Sequence, residues 1–162
     1  MRIYLIGMPG SGKSTVGRLL SKALNYSFVD LDGVIEKDAL MFIETIFETF
    51  GEKKFRQLET EALKNIHDED VIISCGGGIV TVKENKALMN GLKVYLDTDI
   101  DLIRNRLAND YERPLLKEKS LEQILDERFL KYQDFADLIV SNDVNPEETV
   151  KMIRKHLEKK AK

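Results

Sequence analysis

The sequence predicts an α/β domain in which helices cover both faces of a mostly parallel sheet. Five short apolar segments alternate with segments of helical periodicity, and this alternation favours right-handed strand–helix–strand crossovers. The 162 residues suit one domain with its own hydrophobic core, so we assign residues 1–162 to a single domain. The candidate strands are Arg2–Ile6, Ser27–Leu31, Asp70–Cys75, Leu92–Asp97 and Leu138–Ser141.

Helices are predicted between these strands by apolar spacing and by start signals. Apolar residues three and four positions apart form a helical face at Val16, Leu19, Leu20, Ala23 and Leu24, and another at Phe55, Leu58, Ala62 and Ile66. Ser120 and Gln123 have the spacing of a capping box. Asn145 can cap a final helix with Pro146 in its first turn.

Composition and charge exclude several classes of protein. Charged residues make up 33% of the chain and the formal net charge is only −3, which argues against a nucleic-acid or membrane surface. No apolar run approaches the roughly 20 residues that a membrane-spanning helix needs. Cys75 is the only cysteine, which excludes an intramolecular disulfide and a cysteine zinc site. We therefore expect a cytoplasmic protein that binds neither nucleic acid nor membranes.

The strongest motif follows the first strand. Residues 7–15 (GMPGSGKST) match the phosphate-binding pattern G-x-x-x-x-G-K-[ST] between a predicted strand and a predicted helix. Glycines let several backbone N–H groups point into one concavity, and the helix N-terminus adds a positive dipole. Lys13 can bridge the β- and γ-phosphates, and the Ser14 hydroxyl can ligate Mg²⁺. The chain is therefore expected to bind a nucleoside triphosphate with Mg²⁺.

Polar residues and glycines follow two further strands. Asp30 and Asp32 come at the end of the second strand, and we expect them to point to opposite faces, one toward the metal and one toward an acceptor hydroxyl. Gly76, Gly77 and Gly78 follow the third strand, where bare backbone would let a ligand reach N–H groups. Ligands of parallel sheets bind at the carboxyl ends of the strands, so these residues favour a small-molecule kinase.

Two arginines indicate an acidic acceptor. Arg128 lies on or beside the apolar stripe of its predicted helix, where an unpaired cation is costly to bury. Arg56 lies next to the Phe55 face and three residues before Glu59, which can orient its guanidinium. Guanidinium groups bind carboxylates bidentately, so both arginines suit a substrate carboxylate.

A polar segment over residues 109–119 is predicted to be a lid. It is interrupted by Arg113-Pro114-Leu115-Leu116, which can bring an arginine to the developing charge while the segment excludes water.

Taken together, these residues closely resemble the shikimate kinase family over nearly the whole chain. The shared marks include the phosphate-binding loop, Asp30 and Asp32, Ile46-Phe47, Gly51-Glu52, Phe55-Arg56 with Glu59, the three glycines, Arg113–Leu116, and Glu127-Arg128 with Tyr132. The resemblance implies a three-layer α/β/α P-loop kinase with a five-stranded parallel sheet in the order 2-3-1-4-5. It also implies a lid, a substrate-binding subregion around residues 32–60, and transfer of the γ-phosphate of ATP to the 3-hydroxyl of shikimate.

The resemblance assigns roles on the acceptor side of the site. Asp32 would hold and deprotonate the acceptor hydroxyl. Arg56 and Arg128 would bind the shikimate carboxylate, and Glu59 would orient Arg56. The three glycines, Gly76, Gly77 and Gly78, would line that pocket.

The resemblance also assigns roles on the nucleotide side. Residues of the loop would bind the phosphates of ATP, namely Gly10, Ser11, Gly12, Lys13, Ser14 and Thr15. Ser14 would ligate Mg²⁺ directly and Asp30 through water, while Lys13 and Arg113 would neutralise charge on the transferring phosphoryl group. The adenine would lie between Arg106 and the turn at Asn145 and Pro146.

Two alternatives to shikimate phosphorylation stay open on the sequence alone. One is another small P-loop kinase that acts on gluconate or a nucleotide. The other is a non-catalytic ATP-binding regulatory module, although Lys13, Asp32 and Arg113 are all present. No long apolar stripe is left over once the core is assigned, so we expect a monomer.

Overall fold

The computed structural model describes residues 1–108 and 119–161. The predicted lid, with Arg113, therefore lies outside the described residues except for Lys119. The elements in chain order are β1 (Arg2–Ile6), α1 (Lys13–Leu24), β2 (Ser27–Asp30), α2 (Leu31–Ala39), α3 (Ile43–Lys64), β3 (Val71–Ser74), a 3₁₀ turn (Ile79–Thr81), α4 (Asn85–Leu88), β4 (Leu92–Asp97), α5 (Ile100–Leu107), α6 (Leu121–Phe135), β5 (Leu138–Ser141) and α7 (Pro146–Ala161).

The strands form one parallel sheet in the order β2-β3-β1-β4-β5, which confirms the predicted fold class and strand order. The central strand is β1, where Tyr4 pairs with Ile73 of β3 and Leu5 pairs with Val94 of β4. This arrangement brings the carboxyl ends of β1, β2 and β3 to the same edge of the sheet, which is where ligands bind in such folds.

Two apolar cores enclose the sheet, one on each face. Ile3 and Leu5 of β1 face the core that is closed by α1 and α7, whereas Tyr4 and Ile6 face the core that is closed by α2, α3 and α6. Strands buried on both faces are apolar at consecutive positions, as β3 shows in its sequence of Val-Ile-Ile. None of the helices in the described ranges is long and apolar enough to span a membrane.

Two predicted strands are too long, and both errors have a backbone cause. The second strand ends at Asp30, because the chain turns directly into α2 at Leu31. The third strand is Val71–Ser74, because Asp70 has a φ of 54° that is incompatible with extended backbone. The predicted start signals are confirmed: Ser120 and Gln123 form the capping box of α6, and the Asn145 side chain accepts a hydrogen bond from the backbone N–H of Glu148.

A kink divides α3, and the apolar periodicity gives no sign of it. Gly51 has φ 85° and ψ 172°, so the helix stops and restarts at this residue. Open space surrounds the position where a Cβ of Gly51 would lie. The kink separates the half of α3 that follows α2 from the half that carries Arg56 and Glu59.

Candidate active site

The loop between β1 and α1 forms a phosphate-sized cradle. Gly7, Gly10 and Gly12 all have positive φ, and a side chain at Gly7 would lie 2.9 Å from the carbonyl oxygen of Leu96. Gly12 is the N-cap of α1, so the helix N-terminus at Lys13 opens into the loop. The helix dipole and the backbone N–H groups of the first helical turn therefore face the loop, as an anion site requires.

Lys13 is folded over its own loop. Its Nζ donates to the carbonyl oxygens of Gly7 and Met8, both at 2.8 Å, and the side chain is buried. These carbonyl contacts hold the ammonium group within the loop. A bound triphosphate would offer this ammonium group charged oxygen acceptors, which are stronger partners than neutral carbonyls.

A cavity of about 250 Å³ opens above the loop. It is lined by Pro9, Gly10, Gly12, Lys13, Ser14, Thr15, Asp30, Asp32, Ser74, Cys75, Gly76 and Gly77. The cavity thus joins residues from the ends of β1, β2 and β3. Predicted phosphate, metal and acceptor residues meet in it. Other predicted residues in the described part of the chain do not line it, namely Ser11, Arg56, Glu59, Gly78, Arg106, Arg128, Asn145 and Pro146.

Asp30 and Asp32 reach this cavity in a different way from the one predicted. The expectation that they point to opposite faces is wrong, because both carboxylates line the same cavity. Asp30 is the N-cap of α2 and Asp32 lies in its first turn, so helical rather than strand geometry directs them. Residues two apart on a strand would in any case share a face.

Each of the three glycines lies against a different part of the site. A Cβ at Gly76 would lie 2.8 Å from Oδ1 of Asp32 and 2.9 Å from Oε2 of Glu59. At Gly77 it would lie 2.8 Å from the Pro9 ring, and at Gly78 it would overlap the Arg56 guanidinium. The glycines are therefore required for close approach of carboxylates, phosphate-binding loop and arginine.

Arg56 is held between two carboxylates of its own helix. Its Nη1 donates to Oε1 of Glu59 at 3.0 Å, and its Nη2 and Nε donate to Oε2 of Glu52 at 3.1 and 3.3 Å. The guanidinium also lies over the ring of Phe55, 5.1 Å from the centroid. The predicted pair of Arg56 and Glu59 is present, whereas the contact with Glu52 was not predicted.

Glu59 is fully buried, and its environment changes its acidity. Burial raises the pKa of Glu59 to about 7, while the neighbouring Arg56 opposes the rise and Asp32 adds to it. Arg128 also acts on the pKa of Glu59, as a cation that lowers it. These mutual effects place Asp32, Arg56, Glu59 and Arg128 in one electrostatic cluster.

Arg128 projects from α6 and is buried, as its place on the apolar stripe predicted. One turn later, the Tyr132 hydroxyl donates to the carbonyl oxygen of Gly77, and its ring stacks on Tyr95 with centroids 4.9 Å apart. Burial raises the pKa of Tyr132 to about 12, and Arg128 opposes the rise. Helix α6 thereby positions Arg128 and also fixes the glycine segment.

Two residues that the sequence analysis missed hold the phosphate-binding loop from behind. The carbonyl oxygen of Ser11 accepts from the Asn142 side chain at 2.7 Å and from the Thr98 hydroxyl at 3.1 Å. Asn142 accepts in turn from the Thr149 hydroxyl at 2.6 Å and is almost fully buried. Thr98 directly follows β4 and Asn142 directly follows β5. This position, at the carboxyl ends of the strands, is the one feature of the sequence that could have indicated them.

The predicted adenine-flanking residues lie on two elements beside this loop. Arg106 of α5 donates to the carbonyl oxygens of Gly10 at 3.1 Å and Asn142 at 3.2 Å. Asn145 caps α7, and Pro146 is the first residue of that helix. Arg106 therefore contacts the loop between β1 and α1.

Comparisons with known proteins agree with this geometry. The model of a family described as shikimate kinase matches residues 9–158. The shikimate kinase of Aquifex aeolicus is 44% identical over 163 residues, which cover 98% of this chain and 96% of the relative. That of Rippkaea orientalis is 42% identical over 160 residues, which cover 94% of this chain and 86% of the relative.

Solved structures give the same result. A structure described as shikimate kinase from Acinetobacter baumannii in complex with shikimate has a TM-score of 0.93 and 33% identity, and the match covers 99% of this chain and 95% of that one. The crystal structure of shikimate kinase from Aquifex aeolicus has a TM-score of 0.87 and 42% identity, with coverage of 99% and 98%.

Proposed function

We propose that this chain, which belongs to the shikimate kinase family and phosphorylates shikimate with ATP, carries out the reaction in the cavity between the phosphate-binding loop and the glycines Gly76 and Gly77. One observation supports this placement above the others. Pro9 of the loop packs directly against Gly77, and the guanidinium of Arg56 packs against the next residue, Gly78. A phosphate site and a carboxylate site therefore share one wall.

On the acceptor side, Arg56 and Arg128 bind the carboxylate of shikimate, and Glu59 orients Arg56. Asp32 lies on the same wall as these groups, within the cavity, where it can accept a hydrogen bond from the 3-hydroxyl. A carboxylate is a weak base for a neutral alcohol. Asp32 therefore orients the hydroxyl and takes its proton late, when most of the bond to ADP has broken.

On the donor side, the backbone of Gly10–Thr15 binds the phosphates of ATP. Lys13 leaves the carbonyl oxygens of Gly7 and Met8 and donates to phosphate oxygens instead, which neutralises charge as the γ-phosphoryl group moves. Arg113 of the predicted lid supplies a second positive charge. Arg106, Asn145 and Pro146 flank the adenine.

The residues that face the cavity fit a magnesium ion. Ser14 and Asp30 offer a hydroxyl and a carboxylate, which are the hard oxygen donors that Mg²⁺ prefers. Phosphate oxygens and water would complete its coordination, so a cage of several protein carboxylates is not needed. When bound, Mg²⁺ would neutralise negative charge on the phosphates.

The proposed site is tested by the release of ADP from MgATP with shikimate, gluconate and AMP each offered as acceptor. We expect stimulation by shikimate alone, and a loss of about 10²- to 10⁴-fold in kcat in Asp32→Asn and Asp32→Ala. Stimulation by another acceptor would contradict the assignment of the two arginines. Binding of ATP without stimulation by any acceptor would favour a regulatory module.

We also propose a monomer in the cytoplasm, and sedimentation equilibrium tests the oligomeric state.

A further inference from the structure

Arg56 already binds the Glu52 carboxylate through its Nε and Nη2 groups, which form one of the edges that a guanidinium uses in bidentate binding. A guanidinium binds carboxylates in parallel through pairs of N–H groups, and the Nε and Nη2 pair of Arg56 donates to Glu52. Its Nη1 donates to Glu59 on the other side. A carboxylate that arrives from solution must therefore compete with a carboxylate of the protein itself.

The two carboxylates differ in how easily they can leave. The Glu52 side chain is 48% exposed and would return to water, whereas the Glu59 side chain is 0% exposed and would lose its hydrogen-bond partner with no water to replace it. Separation from Arg56 therefore costs little free energy for Glu52 and much more for Glu59. Glu52 is the carboxylate that an arriving substrate would displace.

The backbone around Glu52 favours this exchange. Glu52 directly follows the kink at Gly51, so it lies at the N-terminus of the second half of α3. A carboxylate in this position is stabilised by the helix dipole even without a cationic partner. The Arg56 side chain itself is only 11% exposed and is fixed by Gly78 and Phe55, so the arginine stays while Glu52 moves.

We propose that Glu52 is an internal competitor for Arg56. It accepts hydrogen bonds from Arg56 while the acceptor site is empty, and it gives up these bonds to the carboxylate of the arriving substrate. This inference rests on the proposed binding of the shikimate carboxylate by Arg56. It makes Glu52 a residue that sets the affinity for acidic acceptors, because every carboxylate that binds must first displace it. Glu52 neither touches the reacting atoms nor changes the phosphoryl transfer itself.

The test compares Glu52→Gln with Glu48→Gln in steady-state kinetics. Both variants remove one negative charge from an exposed glutamate of α3, but Glu48 lies on the other side of the kink. We expect Glu52→Gln to lower the KM for shikimate about two- to fivefold, since an exposed ion pair is disrupted, without change in kcat or in the KM for ATP. Glu48→Gln should match the wild type. Glu52→Ala should show the same decrease, which guards against an effect peculiar to glutamine.

An acceptor without the carboxylate sharpens the test. The methyl ester of shikimate cannot displace Glu52 as a charged group, so its KM should not decrease in Glu52→Gln. A decrease for both acceptors, no decrease for shikimate, or an increase for shikimate would each overturn the proposal, the last because Glu52 would then position Arg56 for binding. Failure of the wild type to phosphorylate shikimate at all would instead overturn the proposed function.

Discussion

Gly78 packs so closely against Arg56 that a Cβ at position 78 would lie 2.3 to 2.4 Å from Nη1, Nη2 and Cζ of the guanidinium. The guanidinium of Arg56 can occupy its position only because residue 78 has no side chain. Its hydrogen bond to the buried Glu59 then fixes its rotation within the plane. Position 78 therefore determines where the guanidinium of Arg56 can lie.

Gly78→Ala should displace Arg56 and weaken acceptor binding. We expect the KM for shikimate to increase about tenfold or more, because a charge-assisted hydrogen bond to a carboxylate contributes roughly 1.5–3 kcal/mol. The KM for ATP should change much less. Gly33→Ala is the matched control, since a Cβ there meets its nearest neighbour at an ordinary 3.8 Å. Equal kinetics in the two variants would refute this role of Gly78.

Glu59 should make stability depend on pH. Burial raises the pKa of Glu59 to about 7, whereas the pKa of an unfolded glutamate is about 4.3. The folded state binds the proton more tightly, so this contribution to stability is present below about pH 4.3 and is lost as the pH rises through 7. Between pH 5 and 8, the free energy of unfolding of the wild type should fall relative to that of Glu59→Gln by on the order of 2 kcal/mol.

Chemical denaturation at several pH values measures this difference. Glu61→Gln is a suitable control, because Glu61 is an exposed acid on the same helix. Parallel pH profiles for the wild type and Glu59→Gln would show that Glu59 is charged in both states.

Asn142→Ala should loosen the phosphate-binding loop. The Asn142 side chain donates to the carbonyl oxygen of Ser11, and its loss leaves Thr98 as the remaining side-chain donor to that oxygen among the described residues. We expect a loss of about 1–3 kcal/mol in stability and an increase of several-fold in the KM for ATP, with a smaller effect on the KM for shikimate. Ser141→Ala, at the exposed neighbouring position, should leave both constants unchanged. Loss of stability with normal ATP binding would limit Asn142 to a structural role.

Cys75 should be unreactive in the folded protein. It lies at the end of β3 and is 2% exposed, and burial raises the pKa of its thiol above the usual range. Only a thiolate attacks disulfide reagents at a useful rate. An aromatic disulfide reagent should therefore label the native protein only as fast as it unfolds, and should label one thiol per chain at once in guanidinium chloride. Rapid labelling of the native protein would contradict this expectation.

Much of the fold is predictable from the sequence, because the local signals agree with the tertiary structure. The strands Arg2–Ile6, Leu92–Asp97 and Leu138–Ser141 have their predicted bounds, since each is an apolar run with a clear end. The start of α2 at Leu31 was missed, because an aspartate after a strand is compatible with either a longer strand or a helix cap. The kink at Gly51 was missed because the pattern of apolar residues gives no sign of it, and only the backbone φ and ψ of Gly51 depart from helical values.

The candidate site divides in the same way. Residues in a contiguous motif, such as Gly10–Thr15, and residues marked by an unusual charge, such as Arg128, are visible in the sequence. Asn142 is not, because its role depends on a contact with Ser11, 131 positions away in the chain. Glu52 is visible as a residue of the resemblance, but its competition for Arg56 appears only when the hydrogen bonds are known. The lid and Arg113 stay predictions.

The contacts around Gly76, Gly77 and Gly78 have a consequence for inhibition and resistance. Each glycine is opposed by groups that a side chain would displace, namely two carboxylates, the loop proline and the arginine. A mutation here that blocked an inhibitor would also disturb the site itself. Compounds that bind against these three backbone positions should therefore meet fewer escape mutations than compounds that rely on the exposed Glu52.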